Sequence, residues 1–260
     1  MLPVVEYVTA HVLRSSRLAG YRIAVIGDFH LAPWRSERAL TYAIDVINAH
    51  DPDLCALVGD YGYSTEMFPP VSRLLYRTVI GTVTRELARL HPRDGVYAVL
   101  GNHDVDAGAD DVSAALARSG VHVLRDAHSD VIRGGGVLRV FGSTDIARDG
   151  RGVADVSQVG WRDIDAGLVL SHHPDIVVRQ RAGPIPPYVT VLAGHTHGGQ
   201  ISFPLVGAPV TLSRAATRHF PAGFVPNEAA TLYVTRGLGE QIPLRVRATR
   251  EVTLLELAKR

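Results

Sequence analysis

Five apolar runs along this chain each stop in a short cluster of glycine, aspartate, asparagine or histidine. "YRIAVIG" ends in Asp28-Phe29-His30, "DLCALV" in Gly59-Asp60 and "GVYAVL" in Gly101-Asn102-His103-Asp104. "GLVL" ends in Ser171-His172-His173, and "YVTVLA" in Gly194-His195-Thr196-His197. Short apolar runs bounded by turn residues are the pattern of buried strands. In open α/β sheets the segments just beyond the carboxyl ends of the strands line one crevice. A chain with metal-ligand side chains on five such ends is constrained to a sheet that gathers them, although residues 28 and 197 are far apart in sequence.

The segments between fit that constraint. "SERALTYAIDVINAH" (36–50) places Leu40, Ala43, Ile44 and Ile47 at helical spacing, with Ser36 as its N-cap. Pro69 and Pro70 open a second helical pattern that runs to about Leu90, weakened in its middle by Gly81. A strand over 95–104, a helix over 110–119 and a strand at 121–124 follow. Residues 130–143 read as a hairpin with a glycine-rich turn, and strands are expected at 167–175, 188–200, 231–239 and 251–257. Val5, Tyr7, Thr9 and Val12 make the first twenty residues an edge strand. Strand and helix alternate in the first half and strands dominate the second. The expectation is an α/β core with an antiparallel completion, in one domain over residues 1–260.

A composition of 46% hydrophobic and 20% charged residues supplies a sizeable core. A net charge of +1 without a basic run argues against a dedicated nucleic-acid binder, while leaving room for a small acidic substrate. The single cysteine, Cys55, excludes an intrachain disulfide and fits a reducing, cytoplasmic setting. The N-terminal stretch carries Glu6 within its apolar part, which makes a poor signal peptide and too short an apolar length to span a bilayer. Membrane contact would have to be peripheral.

Carboxylates, an asparagine carbonyl and imidazoles are ligands for manganese, iron or zinc, and the lone cysteine speaks against a thiolate zinc site. Seven such residues exceed the needs of one ion but suit two ions sharing a carboxylate. At a strand end, Asp28 and His30 would point the same way because strand side chains alternate; His195 and His197 share that spacing. Each cluster alone reads as an ordinary turn or cap. Together, and in this order, they do not.

Asp28-x-His30, Gly59-Asp60, Gly101-Asn102-His103-Asp104, His172 and Gly194-His195-x-His197 resemble the full signature of the calcineurin-like metallophosphoesterases. The form "GHTHGGQ", with "SHHPD" before it and "RGLGEQIPLRVRATREVTLLEL" after, is similar to a bacterial single-domain branch, over about residues 20–257. The resemblance implies an α/β sandwich of two mixed β-sheets flanked by helices, with the metal site at strand C-terminal ends. It implies one divalent ion on Asp28, His30 and His197, a second on Asn102, His172 and His195, and Asp60 bridging them. Manganese is the favoured metal, ahead of iron or zinc. The implied reaction is hydrolysis of a small phosphate ester, a diester by branch resemblance, through attack of a metal-bridging hydroxide. His103 would assist the phosphoryl oxygens or the leaving group, with Asp104 orienting it by a hydrogen bond. His172 is favoured over His173 as the ligand because it directly follows Ser171.

Two other readings compete. Hydrolysis of a pyrophosphate in a nucleotide-sugar or lipid precursor would need an apolar groove, and a non-catalytic interaction module would have lost ligands that are all present here. Two departures from the family pattern concern substrate preference: "YGYS" after Asp60, where relatives often carry another acid, and "RVRATRE" (245–251) without Cys-Pro-Pro. Tyr61 and Tyr63 are placed to line the pocket; Arg214, Arg236 and the Arg148/Arg151 pair are left outside the site.

Overall fold

The computed structural model describes residues 2–35, 37–64, 69–145, 147, 155–179, 183–240 and 244–260. In chain order the first half gives β1 (Val4–Leu13), β2 (Tyr21–Ile26), α1 (Arg38–His50), β3 (Leu54–Leu57), α2 (Pro69–Leu87), β4 (Val96–Ala98), α3 (Asn102–Arg118) and β5 (Val121–Val123). The second half gives β6 (Ala127–Arg133), β7 (Gly136–Gly142), β8 (Ala166–Ser171), β9 (Val189–Ala193), β10 (Gly223–Val225), β11 (Thr231–Val234) and β12 (Glu251–Lys259).

These strands form two six-stranded mixed sheets, ordered β1-β12-β2-β3-β4-β5 and β10-β11-β9-β8-β7-β6. Strands β2 to β5 run parallel, joined by the three helices, as parallel neighbours require. The strand β12 runs antiparallel to β2, and β1 adds parallel to it as an edge. In the second sheet β7, β8, β9 and β11 are parallel, with antiparallel strands at both edges.

Period-two alternation divides each strand between two cores. Ile23, Val25, Leu54 and Ala56 face the second sheet's Leu138, Val140, Leu168 and Leu170 in one apolar layer. Their sequence neighbours Ala24, Ile26, Cys55 and Leu57 pack under Leu40, Ile44, Ile47 and Val83 of α1 and α2. The outer face of the second sheet is covered in turn, with Val169 and Val191 against Trp161, Ile176 and Ile185. Burial on both faces is why these strands read as unbroken apolar runs rather than alternating ones.

Several local expectations change. Helix α1 is preceded by Glu37, which makes no side-chain cap; the expected cap Ser36 lies outside the described residues. Gly81 does not interrupt α2. The strand expected to run through residue 104 ends at Ala98, and α3 begins at Asn102 rather than 110, with a kink at Gly108. Thus Asn-His-Asp is the first turn of a helix, not a strand end. The hairpin turn is the pair Gly134-Gly135, both with positive φ (54° and 77°), as a two-residue connection between β6 and β7 demands.

Candidate metal centre

The segments after β2, β3, β8 and β9 and the N-terminus of α3 meet at one end of the sandwich. The candidate ligands arrive there in an unexpected backbone conformation. Asp28, His30, Asp60, His195 and His197 all have positive φ, between 42° and 72°. Strand alternation therefore does not aim these side chains, since β2 ends at Ile26 and β9 at Ala193. Left-handed backbone costs a non-glycine residue about 1 kcal/mol or more, and such strain gathers at functional sites. Backbone bonds impose it here: Asp28 N–H donates to Gly59 O at 2.8 Å, and Phe29 and His30 N–H both donate to Asp60 O at 2.8 and 3.1 Å.

Two groups of candidate ligands result. In the first, His30 Nε2 is 3.0 Å from His197 Nε2, and Asp28 Oδ1 lies 3.9 and 3.8 Å from those two nitrogens. In the second, His172 Nε2 is 3.2 Å from both Asn102 Oδ1 and His195 Nδ1. Asp60 stands between them. Its Oδ1 accepts the His103 N–H at 3.0 Å. Its Oδ2 is 3.2 Å from His172 Nε2 and 3.6 Å from His30 Nε2. Among the described residues Oδ2 is nevertheless buried without a well-directed hydrogen bond, as is His30 Nδ1.

Two glycines make this crowding fit. A Cβ on Gly101 would sit 2.1 Å from Asp60 Oδ1, and one on Gly194 would sit 2.6 Å from Asp28 Oδ2. Their lack of a Cβ leaves room for the two carboxylates.

Burial drives the electrostatics. It raises Asp28 to about 7 and, helped by the Arg245 guanidinium, lowers His197 to about 3. His30 and His195 are likewise held low, chiefly by burial. For His172 burial opposes the charge, but the Asp60 carboxylate overrides it and lifts the imidazole to about 10. Burial also opposes charge on Asp60, whose acidity is restored by His172 and His103 until it lies well below the carboxylate range. His30 and His197, held neutral with Nε2 atoms 3.0 Å apart beside an Asp60 oxygen that lacks a well-directed hydrogen bond, form a donor set that a divalent ion fits; the other group offers neutral His195 and, once its proton is displaced, His172. His172 is oriented for it: Nδ1 lies 2.8 Å from Val58 O and donates to it, turning Nε2 toward Asp60.

His103 stands at the rim. Its Nε2 is 3.9 Å from Asp60 Oδ2, and Tyr63 stacks on the ring with centroids 6.0 Å apart. The expected bond from Asp104 does not form. Asp104 instead accepts from the backbone N–H groups of Asp60, Tyr61 and Gly101 (2.8–2.9 Å) and from the Tyr76 hydroxyl. Adjacent residues on a helix point apart, which separates the two side chains. Ser64 takes that place, with Oγ 2.8 Å and backbone N–H 3.2 Å from His103 Nδ1. His173 packs on His195 with ring centroids 3.8 Å apart, its Nε2 3.1 Å from Asp145 Oδ2. Tyr61 does not line the site; it is buried and donates to Val99 O at 2.7 Å.

Ser64, Asp145 and Arg245 escaped sequence reasoning. Arg245 reaches 3.3 Å from His197 Nδ1, and the only signal for it was the unusual "RVRATRE" stretch. Of the arginines left aside, Arg236 pairs with Glu251 and Glu6, and Arg148 and Arg151 lie outside the described residues.

A double mixed sheet that gathers histidine, aspartate and asparagine beyond its strand ends defines the metallophosphoesterase class of fold. The chain matches the calcineurin-like phosphoesterase family over residues 21–199, more than half its length, and belongs to that family. It is 28% identical to phosphodiesterase YaeI of Escherichia coli (strain K12), covering 92% of this chain and 83% of that protein. A zebrafish (Danio rerio) transmembrane protein with a metallophosphoesterase domain is 28% identical over 92% of this chain, which spans 54% of that protein. Among solved structures, a 5'-nucleotidase precursor from Thermus thermophilus superposes with a TM-score of 0.51 at 18% identity, over 84% of this chain and 48% of the other. Among the described residues no helix is long and apolar enough to cross a membrane.

Proposed function

We propose that this chain is a two-metal phosphoesterase acting on phosphodiesters. Asp28, His30 and His197 would hold one ion and Asn102, His172 and His195 the other, with Asp60 shared. When bound, such a pair supplies Lewis acidity and an activated water near neutral pH; manganese is the favoured metal. In the hydrolysis, oxygen from water bonds to phosphorus, the P–O ester bond breaks, and the alcohol departs with a proton.

The chain's own part centres on His103. The Ser64 N–H can only donate, so Nδ1 accepts and Nε2 carries the ring hydrogen. Nε2–H points toward Asp60 Oδ2, where it would donate to a phosphoryl oxygen or to the leaving oxygen. Asp104 has a positioning role in this reading: it fixes the Asp60 and Gly101 backbone rather than His103. The buried, unpaired Cys55 supports a reducing, cytoplasmic setting.

The observation that carries this reading is Asp60 Oδ2, buried between the two ligand groups with no well-directed hydrogen bond. The test is metal analysis together with hydrolysis of bis-p-nitrophenyl phosphate in Mn²⁺. We expect two divalent ions per chain, and a loss of more than about 100-fold in Asp60→Asn, beyond what losing an outer-shell partner costs. A protein that binds no divalent metal and shows no turnover would identify a non-catalytic module instead, and an Asp60→Asn variant as fast as an active parent would overturn the two-metal mechanism.

A further inference from the structure

His197 also lines a cleft of about 460 Å³ whose walls include Gln200, Ile201, Phe203, Val210 and Leu212. The cleft is built rather than incidental. Asp175 anchors the strip after it, accepting from the Arg214 and Ala215 N–H groups at 2.7 and 3.0 Å and from the Ser213 hydroxyl. Gly199 packs so closely that a Cβ there would lie 2.2 Å from Ala208 Cβ.

Its rim is apolar and turned outward. Phe203 and Gly207 exchange backbone hydrogen bonds of 3.0 Å, closing a tight turn with Leu205 at its tip. Leu205 is 98% exposed and Leu212 57%, and both have positive φ, a conformation leucine resists. Phe203, Val206 and Val210 are exposed beside them. Contiguous exposed apolar surface of this kind marks a binding face. From Gly198 to Asn227 the sequence contains no aspartate or glutamate, but Arg214 and Arg218, both exposed. Arg218 Nε donates to Val206 O at 2.8 Å, which stations a cation at the turn.

We propose that this cleft binds the hydrocarbon chain of an amphiphilic phosphate ester, with the phosphate reaching the ligand groups past His197. The proposal deepens the phosphoesterase reading and rests on it for the phosphate end alone. An apolar tail matches the apolar cleft, and His197, shared with the candidate metal centre, puts the anionic head beside the groups that would hold divalent cations.

Calorimetry with dodecyl phosphate and butyl phosphate, both below micelle formation, tests it on the Mn²⁺-loaded chain. Each fully buried methylene multiplies affinity about fourfold, so even partial burial predicts dodecyl phosphate binding at least about tenfold tighter. Val210→Asp should close that gap to within about threefold, and Phe203→Asp, on the exposed turn, provides a second variant should the first fail to fold. Equal affinity for the two phosphates overturns the proposal, as does a gap that survives both substitutions. Dimerisation in sedimentation that both substitutions abolish would also overturn it, by assigning the face to a second copy. Turnover of bis-p-nitrophenyl phosphate is read separately. Chain-length-dependent binding without turnover supports the cleft and sinks the phosphoesterase reading; turnover without chain-length dependence does the reverse.

Discussion

Ser64 holds His103 from behind, with Oγ 2.8 Å and the backbone N–H 3.2 Å from the same ring nitrogen. A hydroxyl and a main-chain donor do the orienting here. Ser64→Ala removes the hydroxyl but leaves the N–H. It should lower kcat about tenfold, at the mild end for outer-shell partners, with KM and metal content little changed. Steady-state kinetics beside metal analysis would show this. A loss as deep as that of His103→Ala would mean that the hydroxyl alone sets the ring.

Asp104 should prove a stability residue first. Asp104→Asn turns an amide NH₂ toward a cluster made entirely of donors, leaving buried groups unpaired at a cost of about 2–4 kcal/mol. Urea unfolding measures it, and an unchanged midpoint would contradict this account.

Gly101→Ala tests the crowding at Asp60. The new methyl would overlap Asp60 Oδ1, and overpacking of this kind costs about 1–3 kcal/mol. Because the displaced group is the carboxylate proposed to be shared by the two ions, bound metal should fall together with stability. A variant that keeps its full metal complement would show that Asp60 has room to move.

Metal binding should tighten with pH. His172, raised to about 10 by Asp60, carries a proton at neutral pH that a metal must displace. Apparent Mn²⁺ affinity should therefore rise about tenfold per pH unit from about pH 7 and level off near pH 10. Below about 7 the dependence should steepen, since Asp28, raised by burial, then takes up a proton as well. Titrations at several pH values give the slope, and a flat profile would rule out proton displacement.

How much of this was legible in the sequence differs between fold and site. The runs at 21–28, 53–60 and 167–175 revealed strands because both faces are buried, but the same continuity hides which face meets which layer. The division into two sheets came from family resemblance, not from periodicity. Helix α3 was begun too late because Asn102, His103 and Asp104 look like a loop until Asp104 is seen bonding the Gly101 N–H. The candidate ligands were visible as residue types. The backbone that aims them was not, since nothing in the letters Asp28 or His195 announces a positive φ. Ser64 and Arg245 lie in stretches that stand out in the sequence, but their roles, like that of Asp145, do not, because each meets its histidine only across the folded sheet ends.

The placement of β12 bears on how the molecule is made. This strand lies between β1 and β2, in register with β1 from Val4↔Glu251 onward. During synthesis the ribosome releases β1 and β2 long before it, with a strand-wide gap between them that is filled only when residues 251–259 leave the exit tunnel. Until then β2 presents an unpaired edge and a row of apolar side chains to the cell. The nascent chain thus stays open to mispairing and chaperone capture until that one strand emerges.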